Sequence, residues 1–191
     1  MSKKYIEDKT FNGINFVEKE LEVAEYENCT FVNCTFANVD LSGMYFTESS
    51  FEGCDFSMAK LVGTAFRDIN FKNCKLLGLH FDICNDFLLA FTFTDCILNF
   101  SSFYKLKIKN TNFYNCKLEE VDFVEANLTG SVFKNCDLVG AIFENTVLEK
   151  TDFRTSYNYS INPEVNRIKK AKFSIDSVAG LLHSYDIVVE R

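Results

Sequence analysis

Phe31-Val32-Asn33-Cys34-Thr35-Phe36-Ala37-Asn38-Val39-Asp40-Leu41-Ser42-Gly43-Met44-Tyr45-Phe46 carries a large apolar residue at every fifth position. Stepping outward by five keeps the rule from Phe11 to Phe81, and again from Leu88 to Phe153. Neither the roughly 3.6-residue period of a helix nor the two-residue period of a strand produces that spacing. Between Phe81 and Leu88 the step is seven, which places two extra residues within Asp82–Phe87. A second period is superimposed on the first. Phe11, Phe31, Phe51, Phe71, Phe93, Phe113, Phe133 and Phe153 form one column at twenty residues once the slip is removed. Cys34, Cys54, Cys74, Cys96, Cys116 and Cys136 form another and absorb the same slip. Twenty residues per coil and five per side predict a four-sided, all-β prism. Each side sends inward one large residue and one small residue two places earlier, so a narrow interior fills without voids.

The composition agrees with a repeat. The chain has 191 residues with 21 Phe, no Trp and a single Pro, Pro163. Seven of the eight Gly lie two residues after a large apolar centre, where the chain turns a corner and a Cβ is least welcome. The formal net charge of −7 disfavours direct binding to nucleic acid or to anionic lipid. No run of about 18 apolar residues is present, so no membrane span is expected. The N-terminal residues have no apolar core of a signal peptide, and eight Cys are then expected as free thiols in a reducing cytoplasm.

Residues 1–10 read as a charged lead or cap, 11–155 as the β-helix, and 156–191 as a C-terminal segment of a different kind. In that segment Ile175, Val178, Leu181, Leu182 and Tyr185 recur at helical spacing, with Ser174 or Asp176 as the N-cap. Ile187-Val188-Val189 reads as a short strand. This helix plus strand either caps the last coil or pairs with a second copy through Val178, Leu181, Leu182, Tyr185, Ile187 and Val189.

No catalytic or cofactor site is expected. Parallel thiols along a straight column do not converge on a metal, which needs ligands around one point. His80 points outward, His183 lies in the tail, and neither has a nucleophile and base beside it. Outward charges do not collect on one face, since one column runs Asp55, Lys75, Lys117, Asp137 and another Glu52, Lys72, Lys134, Arg154. The densest acidic patch, Glu119, Glu120, Asp122 and Glu125, is a candidate partner contact.

The unit resembles the pentapeptide-repeat family, best at Val39-Asp40-Leu41-Ser42-Gly43, Ala126-Asn127-Leu128-Thr129-Gly130 and Cys136-Asp137-Leu138-Val139-Gly140. The resemblance implies a right-handed quadrilateral β-helix. Ala179-Gly180-Leu181-Leu182 followed by Asp186-Ile187-Val188-Val189 is similar to the tail of the Qnr and MfpA branch. That likeness implies a homodimeric rod that imitates DNA, binds DNA gyrase or topoisomerase IV and lowers fluoroquinolone susceptibility. Many Qnr proteins carry projecting loops, where this sequence has only the two-residue slip. Two other readings share the fold: an interaction scaffold with an unrelated partner, and an immunity protein against a gyrase-directed toxin.

Overall fold

The computed structural model describes residues 4–188 and shows a right-handed β-solenoid. Its strands are short because each side of the prism is only five residues long. They are β1 (Lys4–Glu7), β2 (Thr10–Asn12), β3 (Ala24–Glu27), β4 (Thr30–Val32), β5 (Tyr45–Thr47), β6 (Ser50–Glu52), β7 (Ala65–Arg67), β8 (Ile69–Lys72), β9 (Phe91–Thr94), β10 (Asn112–Tyr114) and β11 (Val132–Lys134). All pairing is parallel, coil on coil, in two sheets ordered β1-β3-β5-β7 and β2-β4-β6-β8-β9-β10-β11. Thr30 pairs with Thr10 and Phe31 with Phe11, so the register is the twenty-residue period of the sequence. Isolated parallel bridges such as Thr35–Asp55 and Asp40–Lys60 continue the same register on the other two sides.

Four walls result. Wall 1 is built on Phe31 and its column mates, wall 2 on Phe36, wall 3 on Leu41 and wall 4 on Phe46. The Phe column of wall 1 is a continuous stack. Phe11–Phe31, Phe31–Phe51, Phe93–Phe113 and Phe113–Phe133 have ring centroids 4.7, 4.8, 5.1 and 4.7 Å apart and nearly parallel planes. Phe rings from neighbouring walls meet these edge-on, as Phe103 does Phe113 at 6.1 Å. Offset stacks and edge contacts suit the ring quadrupole and add about 0.5–1.5 kcal/mol per pair to burial.

The small inward residues are tied to the backbone. Cys54 Sγ donates to the Phe31 carbonyl at 3.4 Å, and Cys136 Sγ to the Phe113 carbonyl at 3.3 Å. The eight Cys are free and buried. Burial pushes the Cys29, Cys34 and Cys84 thiols up from their ordinary range. An aromatic disulfide reagent should therefore titrate less than about one thiol per folded chain, because only an accessible thiolate reacts. All eight should react in denaturant. Rapid native reaction of several thiols would show that the interior is not closed.

At most corners the residue two after the centre adopts a left-handed backbone, whether Gly or not; Glu18, Val23, Ile83 and Thr155 do not. Asn33, Asn73, Asn115 and Asn135 have φ of +51 to +54°, in the region Asn tolerates best among residues with a Cβ. A Cβ at Gly53 would lie 2.4 Å from Asn33 Oδ1 of the coil below, so the Asn33 side chain would have to turn aside to admit one.

Three features differ from the sequence reading. The ladder begins at Lys4, within the lead segment, where β1 pairs with β3 and Ile6 is buried. It also runs past Phe153: Arg167 bridges Val147, Lys172 bridges Asp152, and Phe173 stacks on Phe153 at 5.4 Å. Asn166 takes the small inward place of that extra coil, accepting the Thr146 N–H at 2.8 Å and donating to the Phe143 carbonyl at 2.9 Å.

The second difference is the slip. Ala65 still bridges Asn85, twenty residues on, but Ile69 pairs with Phe91, twenty-two on. The extra residues therefore lie between Asn85 and Phe91 and bulge from wall 4. Leu88, which continues the five-residue ladder in sequence, is 65% exposed, and Phe87 beside it is 62% exposed. Phe91 enters the interior instead, 5.2 Å from Phe81, 5.3 Å from Phe93 and 5.8 Å from Phe66.

The third difference is the tail, which forms no α-helix. Two 3-10 turns, Val178–Leu181 and His183–Tyr185, stand in its place. Neither Ser174 nor Asp176 caps them; the first turn begins after Ser177 without a side-chain cap. The physical reason is Gly180. Its carbonyl accepts the Ile161 N–H of the last coil at 2.9 Å, and its Cα lies so close that a Cβ would be 2.3 Å from the Tyr159 carbonyl. Docking to the prism thus takes an acceptor that a helix would need, in a segment too short to be helical by itself. Ile187 and Val188 are not in a strand, and Val189 lies outside the described residues.

Candidate functional site

Among the described residues the prism presents its outer surface and no metal-binding cluster of side chains: no group of three or more His, Cys, Asp or Glu could hold a metal, and no helix is long and apolar enough to cross a membrane. His80 is exposed with Nδ1 3.3 Å from Asp82, and His183 is exposed in the second tail turn.

Glu119, Glu120, Asp122 and Glu125 surround one segment of wall 3, where Asp122 bridges Ser102 and Ile142, and the corner before it. Most of their charge is engaged locally. Glu119 accepts a hydrogen bond from the Asn99 amide at 2.8 Å, Asp122 accepts the Val124 N–H at 2.8 Å, and Glu125 faces Lys105 at 3.6 Å. Glu120, on a left-handed corner, is exposed. In the tail, Leu181 packs against the core, and Val178 and Leu182 are half-buried. Tyr185 is 45% exposed, with its hydroxyl donating to Glu164 at 3.0 Å. Ile175, Ile187 and Val188 leave the larger apolar areas open at this end.

Sequence reasoning missed the charge pattern of wall 4. Its outward residues are mainly acidic up to Asp68 and mainly basic from Lys107 onward, with the bulge between. The signal was available in the residues flanking Ile6, Tyr26, Phe46 and Phe66 on one side and Ile108, Leu128, Leu148 and Ile168 on the other.

The sequence description "Pentapeptide repeat region" matches residues 24–86 and 90–159, well over half of the chain. The chain belongs to the pentapeptide-repeat family. The break in the match falls inside the wall 4 bulge, where the pentapeptide register is lost. Among solved structures, the pentapeptide-repeat prism resembles a trypsin-treated form of QnrB1, a plasmid-mediated fluoroquinolone resistance protein. That likeness has a TM-score of 0.76 at 16% identity and covers 100% of this chain and 96% of the other. A second trypsin-treated QnrB1 matches at 0.64 and 18%, covering 97% and 100%. Full-length QnrB1 matches at 0.56 and 16%, covering 96% and 100%. A search of curated proteins found no significant sequence match. At these identities the likeness to QnrB1 is one of fold.

Proposed function

We propose that this pentapeptide-repeat protein is a binding protein that occupies the DNA path of a type II topoisomerase, DNA gyrase or topoisomerase IV, and lowers fluoroquinolone susceptibility. The observation that carries the reading is the end-to-end likeness to QnrB1, a fluoroquinolone resistance protein, over 100% of this chain and 96% of the other. Two physical features support it. The net charge is −7, the sign a duplex presents. Coils stacked at about 4.8 Å make a rod whose length is comparable with one turn of B-DNA, about 34 Å. Joining two prisms through Val178, Leu181, Leu182, Tyr185, Ile187 and Val189 would double that length.

The wall 4 bulge is short, so gyrase binding and drug protection separate as properties. A supercoiling assay with the purified protein titrated in, with and without a fluoroquinolone, tests both. Restored supercoiling in drug supports the whole reading. Inhibition without rescue supports topoisomerase binding and removes drug protection. No effect in either arm overturns it and favours a scaffold with another partner, a role that the mixed charge of wall 4 also fits.

A further inference from the structure

Wall 4 has opposite charge at its two ends and an apolar knob at its middle. Below the bulge, Glu7, Asp8, Glu25, Glu27, Glu48 and Asp68 occupy its outward and corner places. Above it, the same places hold Lys107, Lys109, Lys150, Arg167, Lys169 and Lys170. The exceptions are Lys4 and Arg67 below and Glu149 above, and each is engaged; Lys4 is paired with Glu22 at 2.6 Å. Arg67 lies 5.5 Å from the ring centres of both Tyr45 and Phe87, and Glu149 is paired with Arg167 at 2.6 Å.

The bulge is also the midpoint of the wall. The coils of Ile6, Tyr26, Phe46 and Phe66 lie below it and those of Ile108, Leu128, Leu148 and Ile168 above it. A surface with this symmetry is complementary to itself. Turn a second copy end for end about a two-fold axis at the bulge, and every acidic coil of one copy faces a basic half of the other. Glu7 and Asp8 then meet Lys169 and Lys170 in the same columns, about 19 Å from the axis at four coils of ~4.8 Å. Asp68 faces the coil of Lys107 and Lys109. Phe87 and Leu88 meet their own symmetry mates at the centre, where desolvated apolar contacts ringed by polar ones contribute most to binding. Arg67, held between Tyr45 and Phe87, stiffens the knob by cation–π contact. Two copies set side by side in the same direction would instead place acid on acid and base on base.

We infer that wall 4 is an isologous self-association surface on which two prisms lie antiparallel, with the bulges at the two-fold axis. This contact is separate from the tail and does not depend on topoisomerase binding.

Light scattering and sedimentation velocity on the full chain test the inference. The wild-type chain should form a dimer at about 50 mM salt and dissociate more readily at roughly 1 M, where the Debye length falls to about 3 Å. Phe87→Asp with Leu88→Asp alters only exposed side chains and should weaken the dimer at least tenfold. Lys169→Glu with Lys170→Glu should do the same, and adding Glu7→Lys and Asp8→Lys to that chain should restore association. Leu181→Asp with Leu182→Asp should leave this dimer intact. Should the tails also join, the wild-type chain forms larger species, which the Phe87 and Leu88 variant reduces to dimers. Unchanged circular dichroism confirms that each variant is folded. A wild-type monomer up to about 100 µM, where a micromolar dimer would be nearly saturated, overturns the inference. So does a dimer that ignores salt, the knob variant and the charge reversal.

Discussion

Phe113→Ala is expected to lower the stability of the prism by about 3–5 kcal/mol, the range for deleting a buried aromatic side chain. Phe113 is fully buried in the middle of the wall 1 column, between Phe93 at 5.1 Å and Phe133 at 4.7 Å. Phe103 and Phe123 meet its ring edge-on, each at 6.1 Å. Alanine therefore removes two stacks and two edge contacts and leaves a void that hydrogen-bonded coils cannot close. Phe11→Ala is the matched control. Phe11 belongs to the same column but is half-buried and stacks on one side only, so its loss should be roughly half as large. Guanidinium denaturation followed by circular dichroism measures both. Equal losses at the two sites would show that position in the column is not what determines stability.

Gly180→Val tests how the tail is held. The added Cβ would fall 2.3 Å from the Tyr159 carbonyl oxygen and 2.7 Å from two atoms of its ring. These neighbours cannot yield easily, because the Tyr159 side chain is buried against Phe153 and Phe173. Overpacking of this kind costs about 1–3 kcal/mol, and valine adds a branched side chain to it. The expected outcome is an undocked tail on an intact prism: faster proteolysis after residue 173, with the main thermal transition shifted little. Parallel loss of the whole prism would mean that the tail and the coils unfold as one unit.

The walls were legible because the repeat is redundant. Dozens of positions obey one rule, and the Phe and Cys columns fix the register independently. The bulge was not legible in detail, since Leu88 satisfies the five-residue ladder by identity while Phe91, off the ladder, does the packing. A rule about residue type cannot choose between two apolar residues when the backbone has length to spare. The coil from 154 to 173 was hidden for the opposite reason. Asn166 and Tyr159 fill inward places with polar-tipped side chains: Asn166 bonds Thr146 and Phe143 of the coil below, and the Tyr159 hydroxyl donates to Ser177 of the tail. The tail misled because its apolar spacing is helical, whereas the Gly180 contacts that prevent a helix are tertiary. At the candidate surface, the residues of the acidic patch were found but not their engagement with Asn99 and Lys105. The lengthwise charge division of wall 4 emerged only when outward residues were sorted by wall.

The bulge also bears on how such a chain can change length. Phe71 and Phe93, on either side of the two added residues, stack at 5.5 Å with planes 6° apart, as regularly as pairs with no insertion between them. The irregularity is confined to one coil, from the 3-10 turn at Phe81–Ile83 to Phe91, and leaves no phase error downstream. The segment between Asn85 and Phe91 thus works as an expansion joint, where extra residues can be spliced in and displayed without reworking the stack beneath.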